Sequence, residues 1–302
     1  MNIVISCNDN YVIPARVLID SIAAHNKDIV LWLIYDDVSE ENLAALKQQV
    51  DEYRWEFHPV RIPDRFLLLA SKLPCHWHFT KEIYYRLFMP WIMSDCERAL
   101  YLDCDILVRD SLEGLFLSDL GKNLVGAVED MDISIRKEST QRLRLMGDYF
   151  NSGMELLQLR LIREQMSEEK MLDQIHMISE KFKLIYPDQD ILNKVYDGKI
   201  QTLDRKYNYG VHRNISYKYK LKNPNEFRDA VVVHFITSNK PWKNDYCRFY
   251  LKEYWNYLKK YLTSEQRREY WMCKPLAYFK MVKGYVGGIY VRCKTKLRIQ
   301  SE

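Results

Sequence analysis

Residues 99–110 read ALYLDCDILVRD. An apolar run suited to a buried strand ends in two carboxylates, Asp103 and Asp105, with only Cys104 between them. Side chains of an extended chain alternate faces, so Asp103 and Asp105 point one way and Cys104 the other for as long as the strand lasts. Two like charges in one small, partly dry volume need a proton or a cation to relieve them. A divalent ion suits a site that also holds a diphosphate, because it bridges carboxylate and phosphate oxygens. The pair alone leaves other uses open: it would equally cap the following turn or engage Arg109.

The surrounding pattern alternates strand and helix. Residues 3–5 followed by SCNDN read as a strand entering a polar loop, and residues 16–25 carry apolar positions at helical spacing. A second strand is expected over 29–35, a helix over 42–50 capped by Ser39, and a third strand over 56–61. Residues 80–93 read as a helix broken at Pro90 that leads into the quoted run. Later strands are expected over 124–128, 154–159 and 230–235, with a turn at 185–187 opening a helix over 188–196. The expected fold is α/β: a single, Rossmann-like, mostly parallel sheet flanked by helices, whose ligands sit beyond the carboxyl ends of the strands. Composition shifts after about residue 243, which sets a main domain at 1–245 and a basic, aromatic-rich helical tail at 246–302.

At 302 residues and 47% hydrophobic content the chain has enough apolar material for a substantial core. A net charge of +4 does not favour nucleic acid as a partner, and no nucleic-acid motif accompanies the basic tail. Seven scattered cysteines without C-x-x-C spacing argue against a disulfide framework or a zinc site and for a reducing compartment. The first residues read as a strand rather than an export signal, and the longest apolar runs are far shorter than the roughly 18 to 20 residues of a membrane helix. A cytoplasmic location is expected.

A second segment adds to the acidic pair. HFITSNKPW, residues 234–242, follows a strand pattern and supplies His234 and Lys240. An imidazole joining two carboxylates makes a mixed N/O set that suits Mn²⁺ at least as well as Mg²⁺, and Lys240 would offset diphosphate charge.

Taken in order, ISCNDNYVIPARVLIDSI, YYRL, LYLDCDILV, FNSGMELLQL, PDQDILN and HFITSNKPW make the chain resemble the family 8 retaining glycosyltransferases, from its first residues to about Trp242. The resemblance implies a GT-A fold and transfer of a hexose, galactose or glucose, from a UDP-sugar donor to a glycan or lipid-linked saccharide acceptor. It places Ser6, Cys7, Asn8, Asn10 and Tyr11 around the uridine and Arg86 at the donor's phosphate or sugar. Asp103 and Asp105, flanking Cys104, would hold Mn²⁺ with His234. Asn151 and Ser152 would touch the donor sugar, Asp188 its hydroxyls, Gln189 the space under the anomeric carbon, and Lys240 the phosphate. Thr237 stands where the family usually has glycine, and Asn8 where many members have Asp.

Retention requires either a protein nucleophile or attack from the face the UDP leaves. Gln189 of PDQD is a poor nucleophile, and Asp190, chemically the better one, lies next along the chain where its side chain is free to point away, so front-face attack with Gln189 stabilising a cationic sugar is the favoured route. Glu155, inside an otherwise apolar stretch, is expected on an exposed face or at an acceptor. From 271 to 300 the chain carries seven Lys or Arg and no Asp or Glu, interleaved with aromatics, which suits peripheral attachment to an anionic membrane surface. A self-glycosylating enzyme, a sugar nucleotidyltransferase and a nucleotide-sugar binding protein without turnover are the competing readings.

Overall fold

A computed structural model describes residues 1–75, 80–211, 224–236, 238–243, 250–272 and 274. β1 (Asn2–Ser6) buries Ile3, Val4 and Ile5 completely, as a strand covered on both faces must. Ile3 and Ile5 join one apolar cluster, with Leu31, Leu33 and Leu100, and Val4 joins the opposite one, with Ile34 and Tyr101. Fully burying such side chains contributes roughly 1.5–3 kcal/mol each.

Beside β1 lie β2 (Val30–Tyr35), β3 (Glu56–Arg61), β4 (Ala99–Leu102), β6 (Val125–Glu129), β7 (Phe150–Leu157) and β8 (Ile200–Thr202), in the order β3-β2-β1-β4-β7-β6-β8. All neighbours are parallel except β7, which runs against both β4 and β6. This is the expected mostly parallel, helix-flanked sheet. The helix after β2, Glu40–Glu52, is capped as read: Ser39 Oγ accepts from the Asn42 N–H, with Glu40 and Glu41 in the first turn.

Two expectations change. The expected helix over 80–93 is a 3₁₀ helix, Lys81–Phe88, followed by one short α-turn, Met89–Ile92. Pro90 has no N–H for a bond to the carbonyl four residues back, so the chain restarts there. The quoted run is not one strand either. β4 stops at Leu102, and β5 (Ile106–Val108) pairs with β10 (Val232–His234) and through it with β9 (Tyr209–Gly210) in a second, three-stranded sheet. Asp103, Cys104 and Asp105 are the corner where the chain passes between sheets, pinned by Asp103 N–H donating to Gly153 O at 2.8 Å and by Asp105 O accepting from Phe235 N–H at 3.0 Å.

The chain divides into two compact units, Met1–Ile236 and Thr237–Glu302. In the second, helices Leu251–Leu258 and Ser264–Met272 are joined by stacking of Trp255 on Tyr270 at 4.7 Å, with Trp271 edge-on to both. Most of the basic tail, and Thr237, lie outside the described residues. No described helix is long and apolar enough to cross a membrane.

Candidate functional site

The corner between the sheets gathers the three residues the sequence singled out. One ligand atom each from Asp103, Asp105 and His234 lies within 4.8 Å of the others. His234 Nε2 stands 3.1 Å from Asp105 Oδ1 and 3.7 Å from Asp103 Oδ2. The antiparallel pairing His234↔Ile106 delivers the imidazole to the acidic corner across more than a hundred residues of sequence. Gly153, beside Asp103 on β7, leaves the room: a Cβ there would fall 2.1 Å from His234 Cε1 and 2.8 Å from Asp103 Oδ2. Two carboxylate oxygens and an imidazole nitrogen converging behind a residue that has no side chain fit a divalent cation of the Mn²⁺ or Mg²⁺ class.

Arg86 closes one side. It is buried and reaches Asp103 Oδ1 at 2.5 Å, Ser152 O at 2.6 Å and Asp188 Oδ2 at 3.5 Å, with its guanidinium 4.3 Å over the Tyr101 ring. Burial alone would lower its affinity for its proton, but Asp103, Tyr101, Asp188 and Glu155 more than reverse this. The Tyr101 hydroxyl donates to Asp103 at 2.9 Å and meets Ser6 Oγ at 3.0 Å. Asp188 accepts from Ser152 Oγ at 3.0 Å, and burial raises its carboxyl despite Arg86.

Glu155 is neither exposed nor at the surface. It pairs in register with Tyr101 on β4, one pleat behind Gly153, and its Oε2 has no hydrogen-bond partner among the described residues. Burial pushes its carboxyl up to about 8, with Arg86 opposing.

The loop after β1 is built around Asp9, which accepts from Ser39 N–H at 2.8 Å and Asn42 Nδ2 at 2.9 Å, tying the loop to the helix after β2. Asn8 Oδ1 accepts from Asn10 N–H at 3.1 Å, so the amide proposed for the base is also the cap of this turn. Tyr11 stands near the corner: burial first, then the charges of Asp105, Cys104 and Asp103, hold its hydroxyl protonated well above the usual range. Cys7 and Cys104 are both buried, and Cys104 Sγ donates to Ser6 O at 3.4 Å, so their side chains belong to the core under the loop.

Helix Pro187–Val195 is clamped to β7 by Asn193, which accepts from Phe150 N–H and donates to Phe150 O, both at 2.8 Å. Gln189 faces Asn151, Ser152 and Asp130. Asp190 goes elsewhere: fully buried, it accepts from both Arg142 Nη atoms, the Tyr149 hydroxyl at 2.6 Å and the N–H groups of Ile185 and Tyr186. A carboxylate so engaged is a structural anchor, and the expectation of a catalytic Asp190 finds no support in this position. Lys240, in the second unit, is buried.

Three residues here escaped sequence reading: Asp130 at the end of β6, Asn208 before β9, and Gly153. A polar residue just beyond a strand's carboxyl end was the available signal for Asp130; the other two carried none.

Similarity to known proteins agrees with this geometry. The model of glycosyl transferase family 8 matches residues 2–246. Lipopolysaccharide 1,2-glucosyltransferase of Escherichia coli is 30% identical, with 82% of this chain and 74% of that protein covered. Glycosyltransferase GlyA of Streptococcus pneumoniae serotype 4 is 26% identical over 84% of this chain and 34% of that protein. The chain thus spans a third of one curated relative and, for GlyF of the same organism, 60% of another. Among solved structures, the galactosyltransferase LgtC in complex with donor and acceptor sugar analogues superposes with a TM-score of 0.76 at 25% identity, covering 89% of this chain and 100% of that one. With the family model spanning both β1 and the His234 segment, the chain belongs to glycosyl transferase family 8.

Proposed function

We propose that the chain transfers a hexose, galactose or glucose, from a UDP-sugar to a saccharide acceptor with retention of configuration, in assembly of lipopolysaccharide or another cell-surface glycan. The observation that carries this reading is the convergence of Asp103, Asp105 and His234 within 4.8 Å, with Arg86 and Asp188 beside them. Mn²⁺, or Mg²⁺ in its place, would be held by those three residues and supplies the positive charge that a departing diphosphate requires.

The chain's own groups do the rest. Ser6, Asn8, Asn10 and Tyr11 offer the loop on which the uridine lies. Arg86 fixes Asp103 on one side and Asp188 on the other, so the carboxylates of the metal corner and of the sugar pocket keep a constant separation. Asn151 and Ser152 hold Gln189 by its oxygen at 3.0 and 3.1 Å, and this amide, not Asp190, faces the sugar. With no free nucleophilic carboxylate on that helix, the acceptor hydroxyl attacks from the face that UDP leaves. The basic tail brings the enzyme to an anionic membrane where lipid-linked acceptors reside.

The test is direct. Purified protein with Mn²⁺ is offered UDP-galactose, UDP-glucose and UDP-N-acetylglucosamine, and released UDP is measured. Release from one of the first two, abolished by chelation, is expected; release from none of them would overturn the reading.

A further inference from the structure

Between His234 and Asp130 runs an unbroken chain of side-chain amides. Gln189 Nε2 is 3.1 Å from Asp130 Oδ2, Asn151 Nδ2 is 3.0 Å from Gln189 Oε1, Asn208 Nδ2 is 2.9 Å from Asn151 Oδ1, and Asn208 Oδ1 is 3.0 Å from His234 Nδ1. An amide can be turned end for end, so the direction of such a chain must come from groups that cannot turn.

Such groups are present at every link. Gln189 Oε1 also faces the backbone N–H of Ser152 at 3.1 Å, a donor only, while its other end faces the Asp130 carboxylate, an acceptor when ionised. Asn151 Oδ1 likewise faces the backbone N–H of Gly153 at 3.1 Å. Gln189 and Asn151 therefore each have one orientation. Asn208 must then present its NH₂ to Asn151 Oδ1, which leaves its oxygen for His234 Nδ1, and Nδ1 must carry a hydrogen.

The competing arrangement shows what this accomplishes. If His234 carried its hydrogen on Nε2 alone, that N–H would point at Asp105 Oδ1, 3.1 Å away, and ligand and carboxylate would satisfy each other with no place for a cation. A hydrogen fixed on Nδ1 reserves the Nε2 lone pair for the corner. The partner of a metal-ligating histidine typically contributes 10- to 100-fold in metal affinity.

We propose that Asn208 is a positioning residue that fixes His234 with Nδ1 protonated and, through Asn151, joins the cation seat and Gln189 into one directional hydrogen-bond unit. This deepens the function proposed above and rests on it for its purpose, but its test reads no activity.

Protein labelled with ¹⁵N at imidazole and side-chain amides is examined without metal at pH 8, and Mn²⁺ affinity is read from the free-ion EPR signal. The wild type is expected to show His234 Nδ1 protonated. Asn208→Ala is expected to move the proton to Nε2, to weaken Mn²⁺ binding tenfold or more, and to shift the Gln189 Nε2 resonance, identified by its loss in Gln189→Glu. Asn208→Asp keeps an acceptor for Nδ1–H but has no donor for Asn151, so it is expected to hold Mn²⁺ within a few-fold of wild type while still moving the Gln189 signal. Unperturbed denaturation midpoints show that both variants fold. An unprotonated Nδ1 in the wild type, or an unchanged affinity in Asn208→Ala, overturns the proposal. A Gln189 resonance indifferent to both substitutions overturns the coupling. If no UDP-sugar is turned over yet these signals behave as stated, the functional reading fails and the relay stands.

Discussion

Asp103-Cys104-Asp105 and Asp188-Gln189-Asp190 each set two aspartates on either side of a single residue, and the two segments put them to opposite use. At the first, the chain is leaving a strand, and both carboxylates arrive at one corner facing an imidazole. At the second, a helix has begun, and a step of two residues turns a side chain by roughly 200° about the axis. Asp188 meets Arg86 and Ser152, whereas Asp190 meets Arg142, Tyr149 and two backbone N–H groups. Asp190 has donors enough for both its oxygens. The 103/105 corner has oxygens that face each other and a lone pair, which is what calls for a cation. The local backbone period therefore decides whether a repeated acidic pair is a binding site or a binding residue plus an anchor.

The sharpest way to break this contrast is to neutralise the convergent pair. Asp105→Asn removes one ligand without touching Arg86, whose bond is to Asp103. A loss of about 10³-fold in Mn²⁺-dependent UDP release is expected, with little change in melting temperature, since diphosphate stabilisation is the term removed. Asp103→Asn should cost as much activity and also loosen Arg86, which thermal melting would register. Retention of full Mn²⁺-dependent turnover in Asp105→Asn would show that the corner does not serve the cation.

Substitution at the anchor should do the reverse. Arg142→Met leaves Asp190 buried without its cation, and about 3 kcal/mol of stability should be lost, read from the urea midpoint, with Mn²⁺ affinity unchanged. Asp190→Asn is milder, on the order of 1–3 kcal/mol, and UDP release under folded conditions should stay within about tenfold of wild type. If it instead abolished turnover while stability held, Asp190 would have to be returned to the chemistry.

The strand and helix pattern was legible because burial imposes period: β1 to β3, the Ser39 cap and the approach of His234 all follow from apolar spacing and turn residues. The corner's composition was legible too, because carboxylates at a strand end are costly without purpose. Its shape was not, since nothing in ALYLDCDILVRD says that the chain changes sheets at Asp103. Asn208 and Asp130 were invisible for a different reason. Amide-to-amide bonds have no spacing rule, and a residue such as Asn208 acquires its role only from partners 26 and 57 positions away. Asp190, by contrast, could have been placed from the helix phase alone once Pro187 was taken as the first turn.

The smallest effect concerns an acid that belongs to neither pair, Glu155. Glu155 lies behind the corner, and burial raises its carboxyl from 4.5 to about 8, against the pull of Arg86. Between those values the folded protein holds a proton that the unfolded chain has released. Stability from this group therefore falls as pH rises through that window and is level on either side. At about 1.4 kcal/mol per pKa unit the full swing has an upper limit of about 5 kcal/mol. Glu155→Gln keeps the shape and removes the ionisation. Its melting temperature should match wild type near pH 5 and exceed it by several degrees at pH 8 to 9, the gap opening across the interval. Parallel melting curves across that range would mean that Arg86 already keeps Glu155 ionised. Arg86 would then be balancing three carboxylates, Asp103, Asp188 and Glu155, and losing Glu155 would shift the guanidinium itself.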